Sequence, residues 1–388
     1  MRIAIDTLYE RGDSQSSSAV DYLVNLATYL PQVGPQHDYY MLVSSRSAHR
    51  YRDLIRENVH LVDCFFANDR RLLRIAAQQT IVPLRLHWLG VDVLFAPGNV
   101  VPLVGDFCRI LKINTLHHFR TPKQIGRTRS VYRTVAFGAA ARAADCILAN
   151  SSVTSDDICR FLKVDARKVK TVWEAVDECF VPASLDATRQ VRERFNLRRS
   201  FVLFCSTLWP YKNAHVLIRA YSLAVRRYDI DSDLIFVGRE DKASYKAQLD
   251  ALIQEEGVQG RVRFLGLVPN RDMPPLYSAA SMLVFPSLSE TFGKPLVEAM
   301  RCDLPVIASN VSCIPEILGG AGLLVDPNDV EGIADAIYSV LTDSALRASL
   351  IERGRRRGSC FSWEKSAQET LEVIENTYAG WRRARETE

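Results

Sequence analysis

The stretch Phe285-Pro-Ser-Leu-Ser-Glu290-Thr-Phe-Gly293-Lys-Pro295-Leu-Val-Glu298-Ala-Met300 decides how this chain is read. Met282, Leu283, Val284 and Phe285 form an apolar strand that runs into a loop ending at Phe292-Gly293. Pro295 falls where a first helical turn would start, a place where the N–H that proline lacks would go unpaired anyway. Residues 296–300 then read as helix. A strand, a glycine-bearing loop and a helix N-terminus make an anion site, because free amides and the helix dipole point at whatever binds. Glu290 lies in the loop and Glu298 in the first helical turns. A general acid and base flanking one glycosidic bond stand ~5–9 Å apart. This pair reads better as two carboxylates gripping different hydroxyls of one extended, phosphate-containing ligand.

A second segment, Phe201-Val-Leu-Phe-Cys-Ser-Thr207-Leu-Trp-Pro-Tyr-Lys212-Asn213, leads into an amphipathic helix bearing Val216, Leu217, Ala220 and Tyr221. A lysine between a strand end and a helix start suits a diphosphate as a compact, fixed positive charge. The bland alternative is a surface lysine on a loop. Asn213 reads as the N-cap of the helix.

Around these segments, short apolar runs alternate with helical periods. Strands are expected at 2–5, 40–43, 60–62, 91–95, 110–113, 146–149 and 170–173. A second set falls at 201–205, 234–237, 262–265, 282–285 and 306–308. The helix at 19–30 places Val20, Leu23, Val24, Leu26, Ala27 and Leu30 on one face. Such alternation implies an α/β fold with parallel sheets covered on both sides. At 388 residues the chain has room for two or three domains. The linker is expected after Asp177, before a short helix at 189–195. Glu290, Lys212 and Asp326 all follow strands of the second half, where ligands of open α/β sheets bind. The first strand is followed by Asp6-Thr-Leu-Tyr-Glu-Arg-Gly, without Gly-x-Gly-x-x-Gly, which disfavours a dinucleotide dehydrogenase.

Nine scattered cysteines, never spaced Cys-x-x-Cys, argue for a reducing cytosol and against a disulfide framework or zinc site. Residues 1–7 read as a strand and not as a signal peptide. No run of about 18 uncharged apolar residues suggests a membrane span. A cytoplasmic protein is therefore expected. The net charge of +4 is uneven, since residues 1–185 hold 23 Lys and Arg against 18 Asp and Glu. Arg46, Arg50, Arg52, Arg56, Arg70, Arg71, Arg74, Arg120, Lys123, Arg127, Arg129 and Arg133 carry the excess. They read as solvated helix faces, or as a footing on anionic lipid head groups or a phosphate-bearing acceptor, with peripheral contact at the inner face of the cytoplasmic membrane. No recognised nucleic-acid motif accompanies them, so no nucleic-acid partner is expected.

The string Pro-Ser-x-x-Glu-Thr-Phe-Gly-x-Pro-x-x-Glu-Ala-Met, with Glu290 and Glu298 in a Glu-x7-Glu arrangement, resembles the retaining GT-B-fold glycosyltransferases of group 1, or family 4. The resemblance covers nearly the whole chain. It implies two Rossmann-like domains with parallel sheets facing a central cleft: an acceptor domain at 1–180 and a nucleotide-sugar donor domain at 181–364. A C-terminal helix at 365–388 would complete the first. It further implies that Lys212 and the residue at 207 bind the diphosphate, with Thr207 standing where an arginine is common. Asn213 follows them. Glu298 would accept from the ribose hydroxyls. Glu290, with the amides of Thr291, Phe292 and Gly293, would hold the transferred sugar. The base would lie against backbone near Gly266, which leaves uracil and guanine undistinguished.

By the same resemblance His117 takes the slot of a strand-ending histidine beside the reacting centre, where Glu290 and Lys212 also act. His118 replaces an aspartate there. A Ser-rich segment at 12–18 replaces a Gly-rich loop, Ala175 stands where Gly is usual, and Ser151 would face the cleft. Asp326-Pro-Asn-Asp329, Glu316 and Tyr277 are expected to serve folding, Tyr277 as core packing.

The implied activity is retaining, metal-independent transfer of a hexose from a GDP- or UDP-linked donor to a hydroxyl of a glycan or lipid-linked acceptor. Surface polysaccharide or lipopolysaccharide assembly is the setting by analogy. The Thr-x-x-x-x-Lys-Asn variant leans to mannose from GDP-mannose. No cofactor beyond the nucleotide sugar is implied, and no Asp-x-Asp metal motif accompanies the site. Two rivals stay open at this level: a non-catalytic GT-B binding partner, suggested by Thr207 and the Ser-rich loop, and a GT-B enzyme of another reaction type.

Overall fold

The computed structural model describes residues 1–9, 18–64, 71–116, 119 and 127–387. They form two compact units, Met1–Glu174 with Trp363–Glu388, and Ala175–Ser362. The division therefore falls at Glu174, ahead of the expected boundary at 180.

The first unit is built on a seven-stranded parallel sheet, ordered β3-β2-β1-β4-β5-β6-β7. Its strands are β1 Arg2–Asp6, β2 Asp38–Val43, β3 Val59–Asp63, β4 Val93–Ala96, β5 Cys108–Lys112, β6 Cys146–Ala149 and β7 Val169–Thr171. The central strands β1, β4 and β6 bury almost every residue, which is why they read as unbroken apolar runs. The helices are α1 Ser18–Val33, α2 Arg71–Trp88, α3 Arg127–Ala143 and α4 Ser152–Leu162.

The last helix of the chain, α13 Trp363–Glu386, belongs to this unit. It packs on α1 and on strands β4 and β5. Trp363 meets Tyr22 edge-on at 5.6 Å, while His37 contacts Glu375 at 2.8 Å and Tyr378 donates to Asp92 at 2.7 Å. Ile374 is fully buried in this seam. Ile374→Val should therefore lower the stability of the first unit by about 1 kcal/mol. Hydrogen exchange would report it as faster opening of β4 and β5 with the second sheet unchanged.

The second unit holds a six-stranded parallel sheet, ordered β10-β9-β8-β11-β12-β13. Its strands are β8 Ser200–Cys205, β9 Ser232–Val237, β10 Val262–Phe264, β11 Met282–Phe285, β12 Val306–Ser309 and β13 Leu323–Val325. Helices α5 Leu185–Arg194, α6 Ala214–Tyr228, α7 Ala243–Glu255, α8 Met273–Ala279, α9 Lys294–Arg301, α10 Ile314–Leu318, α11 Val330–Thr342 and α12 Ser344–Gly358 complete it. The apolar faces of α6 and α11 close one side of the sheet over Phe204, Leu234 and Ile307. The expected α/β architecture of two Rossmann-like parallel sheets is observed.

Candidate functional site

From β8 the chain moves outward to β9 and β10, and from β11 it moves the opposite way to β12 and β13. β8 and β11 are neighbours, so the point where the strand order reverses lies between them. Connections leaving in opposite directions open a crevice beyond the carboxyl ends of the strands, which is where open α/β sheets bind ligands. Lys212 and Glu290 come from the two loops at that point.

Lys212 closes the 3-10 turn Pro210–Lys212 after β8. Its Nζ lies 2.5 Å from Glu290 Oε1, and the two side chains are 12% and 9% exposed. The ammonium also sits 5.3 Å from the Tyr211 ring and 5.5 Å from that of Phe285. The loops are laced together: Leu288 N donates to Tyr211 O at 2.8 Å, and Ser287 Oγ to the same oxygen at 3.4 Å. Ser312 clamps Glu290 by accepting from its amide at 3.2 Å and donating to its carbonyl at 2.6 Å. An ammonium has three N–H donors and an ionised carboxylate only acceptors. The pair can thus present positive charge to a phosphate and an acceptor to a hydroxyl within one small region.

Gly293 is the residue before α9, at φ 85° and ψ 57°. That left-handed conformation is cheap for glycine alone. It turns the chain so that the helix starts immediately, with Pro295 in its first turn. Phe292 is buried and meets Phe361 edge-on at 5.7 Å. Its side chain therefore anchors the loop from beneath. The part of Thr291, Phe292 and Gly293 that can serve a ligand is their backbone at the helix N-terminus. Thr207 lies half-exposed after β8, where its carbonyl accepts from Trp209 N at 2.9 Å. Gly266 follows β10 at φ 66°, and its carbonyl accepts from Gly238 N at 2.9 Å.

Three expectations are corrected. Asn213 holds the N-cap position of α6 but not as a side-chain cap: it adopts φ 64°, its carbonyl accepts from Leu217 N at 3.3 Å, and its Nδ2 donates away from the helix, to Pro327 O at 2.6 Å. It braces the Lys212 loop against the turn that starts α11, whose cap is Asp329. Ser151 is fully buried as the N-cap of α4, accepting from Thr154 N at 3.2 Å, so its hydroxyl serves the helix. Tyr277 does more than pack, because its buried hydroxyl donates to Glu298 Oε2 at 2.7 Å.

His117 and His118 lie outside the described residues, as do 12–17 of the Ser-rich segment. The strand expected to reach 113 ends at Lys112, and Asn114 follows it, pinned by Asn99 Oδ1 and Pro97 O, each at 2.8 Å. Arg74, counted among the surface cations, donates to Tyr9 O at 3.0 Å.

Residue-type reasoning missed two features. Gly238, at φ 140° past β9, approaches Ser206 so closely that a Cβ there would stand 2.0 Å from its carbonyl oxygen. A glycine at a strand end was the available signal. In the first unit Lys112, Asn150 and Glu174 meet beyond the ends of β5, β6 and β7. Lys112 Nζ lies 3.0 Å from Glu174 and 3.8 Å from the centre of the Tyr22 ring, and Asn150 Nδ2 lies 3.4 Å from Glu174. Among the described residues, no group of three or more His, Cys, Asp or Glu is placed to hold a metal ion, and no helix is long and apolar enough to cross a membrane.

Comparison with known proteins agrees with this fold. Residues 187–357 match the model of the glycosyl transferases group 1, and residues 19–178 that of glycosyltransferase family 4. The O-antigen chain mannosyltransferase B of Escherichia coli is 32% identical over 314 residues, covering 78% of this chain and 80% of that protein. The serotype-specific mannosyltransferase WbdA of Escherichia coli is 28% identical over 232 residues, 59% of this chain but 28% of that protein. Anabaena Alr3699/HepE, solved in complex with UDP and glucose, shares the fold with a TM-score of 0.76 at 21% identity, covering 97% of this chain and 100% of that one. The protein is a nucleotide-sugar-dependent glycosyltransferase of GT-B fold. It belongs to the group 1 glycosyl transferases.

Proposed function

We propose that this protein transfers mannose from GDP-mannose to a hydroxyl of a glycan or lipid-linked acceptor in polysaccharide assembly, with retention of anomeric configuration and without a divalent metal. The observation that carries this reading is the Lys212–Glu290 pair at the switch point, beside the Gly293-headed helix. The leaving diphosphate gathers negative charge as the glycosidic bond breaks. Lys212 offsets it as a positioned cation, and the first amides of α9 and the Thr207 hydroxyl add dipoles aimed at the same charge.

Glu290 accepts from hydroxyls of the transferred sugar, and Glu298 from the ribose. Glu290 is already engaged by Lys212 and serves as a holder of the sugar more than as an attacking group. Attack then comes from the acceptor oxygen on the face the diphosphate leaves, with the departing phosphate taking its proton, which retains configuration. Similarity to the Escherichia coli O-antigen chain mannosyltransferase B supports mannose as the sugar. The scattered free cysteines support a cytoplasmic site of action, and the basic excess of residues 1–185 supports peripheral contact with anionic lipid.

One set of assays tests this. GDP should raise the thermal midpoint more than UDP, because a ligand that binds only the folded state stabilises it according to its affinity. Transfer from GDP-mannose to a mannose-terminated oligosaccharide should persist in excess EDTA, and NMR should show an α-linked product from the α-linked donor. A UDP-selective shift overturns the donor assignment. Activity lost in EDTA and restored by Mg²⁺ overturns metal independence, and a β-linked product overturns retention.

A further inference from the structure

We propose that Tyr277 is a positioning residue for the donor: its hydroxyl holds the Glu298 carboxylate in the orientation that accepts the ribose hydroxyls. The inference rests on the reading of Glu298 given above and adds a residue to it.

Tyr277 lies in the short helix α8, with its side chain fully buried. Its ring meets Phe180 edge-on at 5.9 Å. A tyrosine needed only for volume could be a phenylalanine, since burying a hydroxyl costs free energy unless it finds a partner. Here the hydroxyl reaches out of α8 to Glu298 Oε2 on α9, at 2.7 Å. The Cys205 thiol at the end of β8 adjoins the same hydroxyl, so three elements of the sheet's carboxyl edge converge on one phenol.

Burial holds the Tyr277 phenol well above its ordinary range, and the nearby Cys205 and Glu298 act in the same direction. Tyr277 is therefore a donor at any working pH, and the carboxylate is the acceptor. Burial, with Glu298 second, also pushes the Cys205 thiol up to about 12, which keeps a competing thiolate out of the cluster.

Glutamate carries one of the larger side-chain entropies, so a half-exposed carboxylate on a helix samples several rotamers. A hydrogen bond between a neutral donor and an ionised acceptor is stronger than one between neutral groups. Fixing one oxygen in this way leaves the plane of the carboxylate defined before the nucleotide arrives. The ribose then meets an acceptor already oriented, and less binding free energy goes into ordering it.

Tyr277→Phe deletes one oxygen and keeps the ring. Affinities for GDP and 2′,3′-dideoxy-GDP, with UDP and 2′,3′-dideoxy-UDP in parallel, are measured by calorimetry for the native protein, Tyr277→Phe, Glu298→Gln and the double variant. In the native protein the ribose form of the preferred nucleotide should bind about tenfold tighter than the dideoxy form. In Tyr277→Phe that ratio should fall towards one through weaker binding of the ribose form alone, and the double variant should match Glu298→Gln. A Tyr277→Phe protein that keeps the ratio while Glu298→Gln loses it overturns the positioning role and leaves the ribose reading intact. Equal weakening toward both forms makes Tyr277 a packing residue and also overturns it. A ratio kept by Glu298→Gln, or no nucleotide binding by the native protein, overturns the ribose reading itself.

Discussion

Lys212→Ala is expected to lower kcat for glycosyl transfer by about 10³-fold, the loss typical of removing a preorganised group that stabilises developing charge. That corresponds to about 4 kcal/mol of barrier. The size follows from the setting of the ammonium, which is 12% exposed, flanked by the Tyr211 and Phe285 rings, and held beside Glu290. In water a single charge would be screened, whereas beside low-dielectric walls its effect on a departing diphosphate is large. A second consequence separates chemistry from folding. The single variant leaves the Glu290 carboxylate without its cation and should lose stability, because breaking a poorly solvated pair from one side is costly. The double variant Lys212→Ala/Glu290→Gln should regain much of that stability and none of the activity. Steady-state kinetics and urea unfolding on the two proteins provide the check. Unchanged kcat in the single variant would remove the diphosphate from Lys212.

The parts of this site that sequence made legible are those whose physics is local. A parallel strand buried on both faces shows as an apolar run, and a Pro in a first helical turn after a Gly marks a helix start within a few residues. That is why β8, β11 and the start of α9 stood out, and with them Lys212 and Glu290. The parts that stayed hidden depend on residues far apart in the chain or on backbone angles that residue type does not specify. Asn213 looked like a cap because asparagine before a helix usually is one. Its left-handed conformation instead turns its amide toward Pro327, 114 positions along the chain. Tyr277 sits in an apolar context and so resembled packing, although its hydroxyl is what reaches Glu298. Ser151 went the other way: the resemblance turned it toward the cleft, whereas its hydroxyl caps the helix that follows. The buried Lys112–Glu174 pair joins the ends of β5 and β7, with β6 and helices α3 and α4 lying between them in sequence.

Gly238→Ala is expected to cost about 4 kcal/mol of stability, in the range reached only by a few kinds of substitution. Two effects add. The backbone there has φ 140°, which a residue with a Cβ adopts only at a cost of about 1–3 kcal/mol. The new Cβ would also lie 2.0 Å from Ser206 O and 2.5 Å from Ser206 C, both main-chain atoms that no rotamer change can move aside. Relief requires Ser206 and Thr207 to shift. Those residues are held by bonds from Ser206 N to Val237 O at 2.9 Å and from Leu208 N to Arg239 O at 2.8 Å. The displacement would therefore pass along the loop toward Lys212, and activity should fall more than the folded fraction alone explains. Gly266→Ala makes the contrast: it also has positive φ, at 66°, but its Cβ would project into open space. It should cost only the left-handed penalty of about 1–2 kcal/mol. Urea midpoints for the two variants test the ranking, and equal losses would show that backbone strain alone, and not the approach to Ser206, requires glycine at 238.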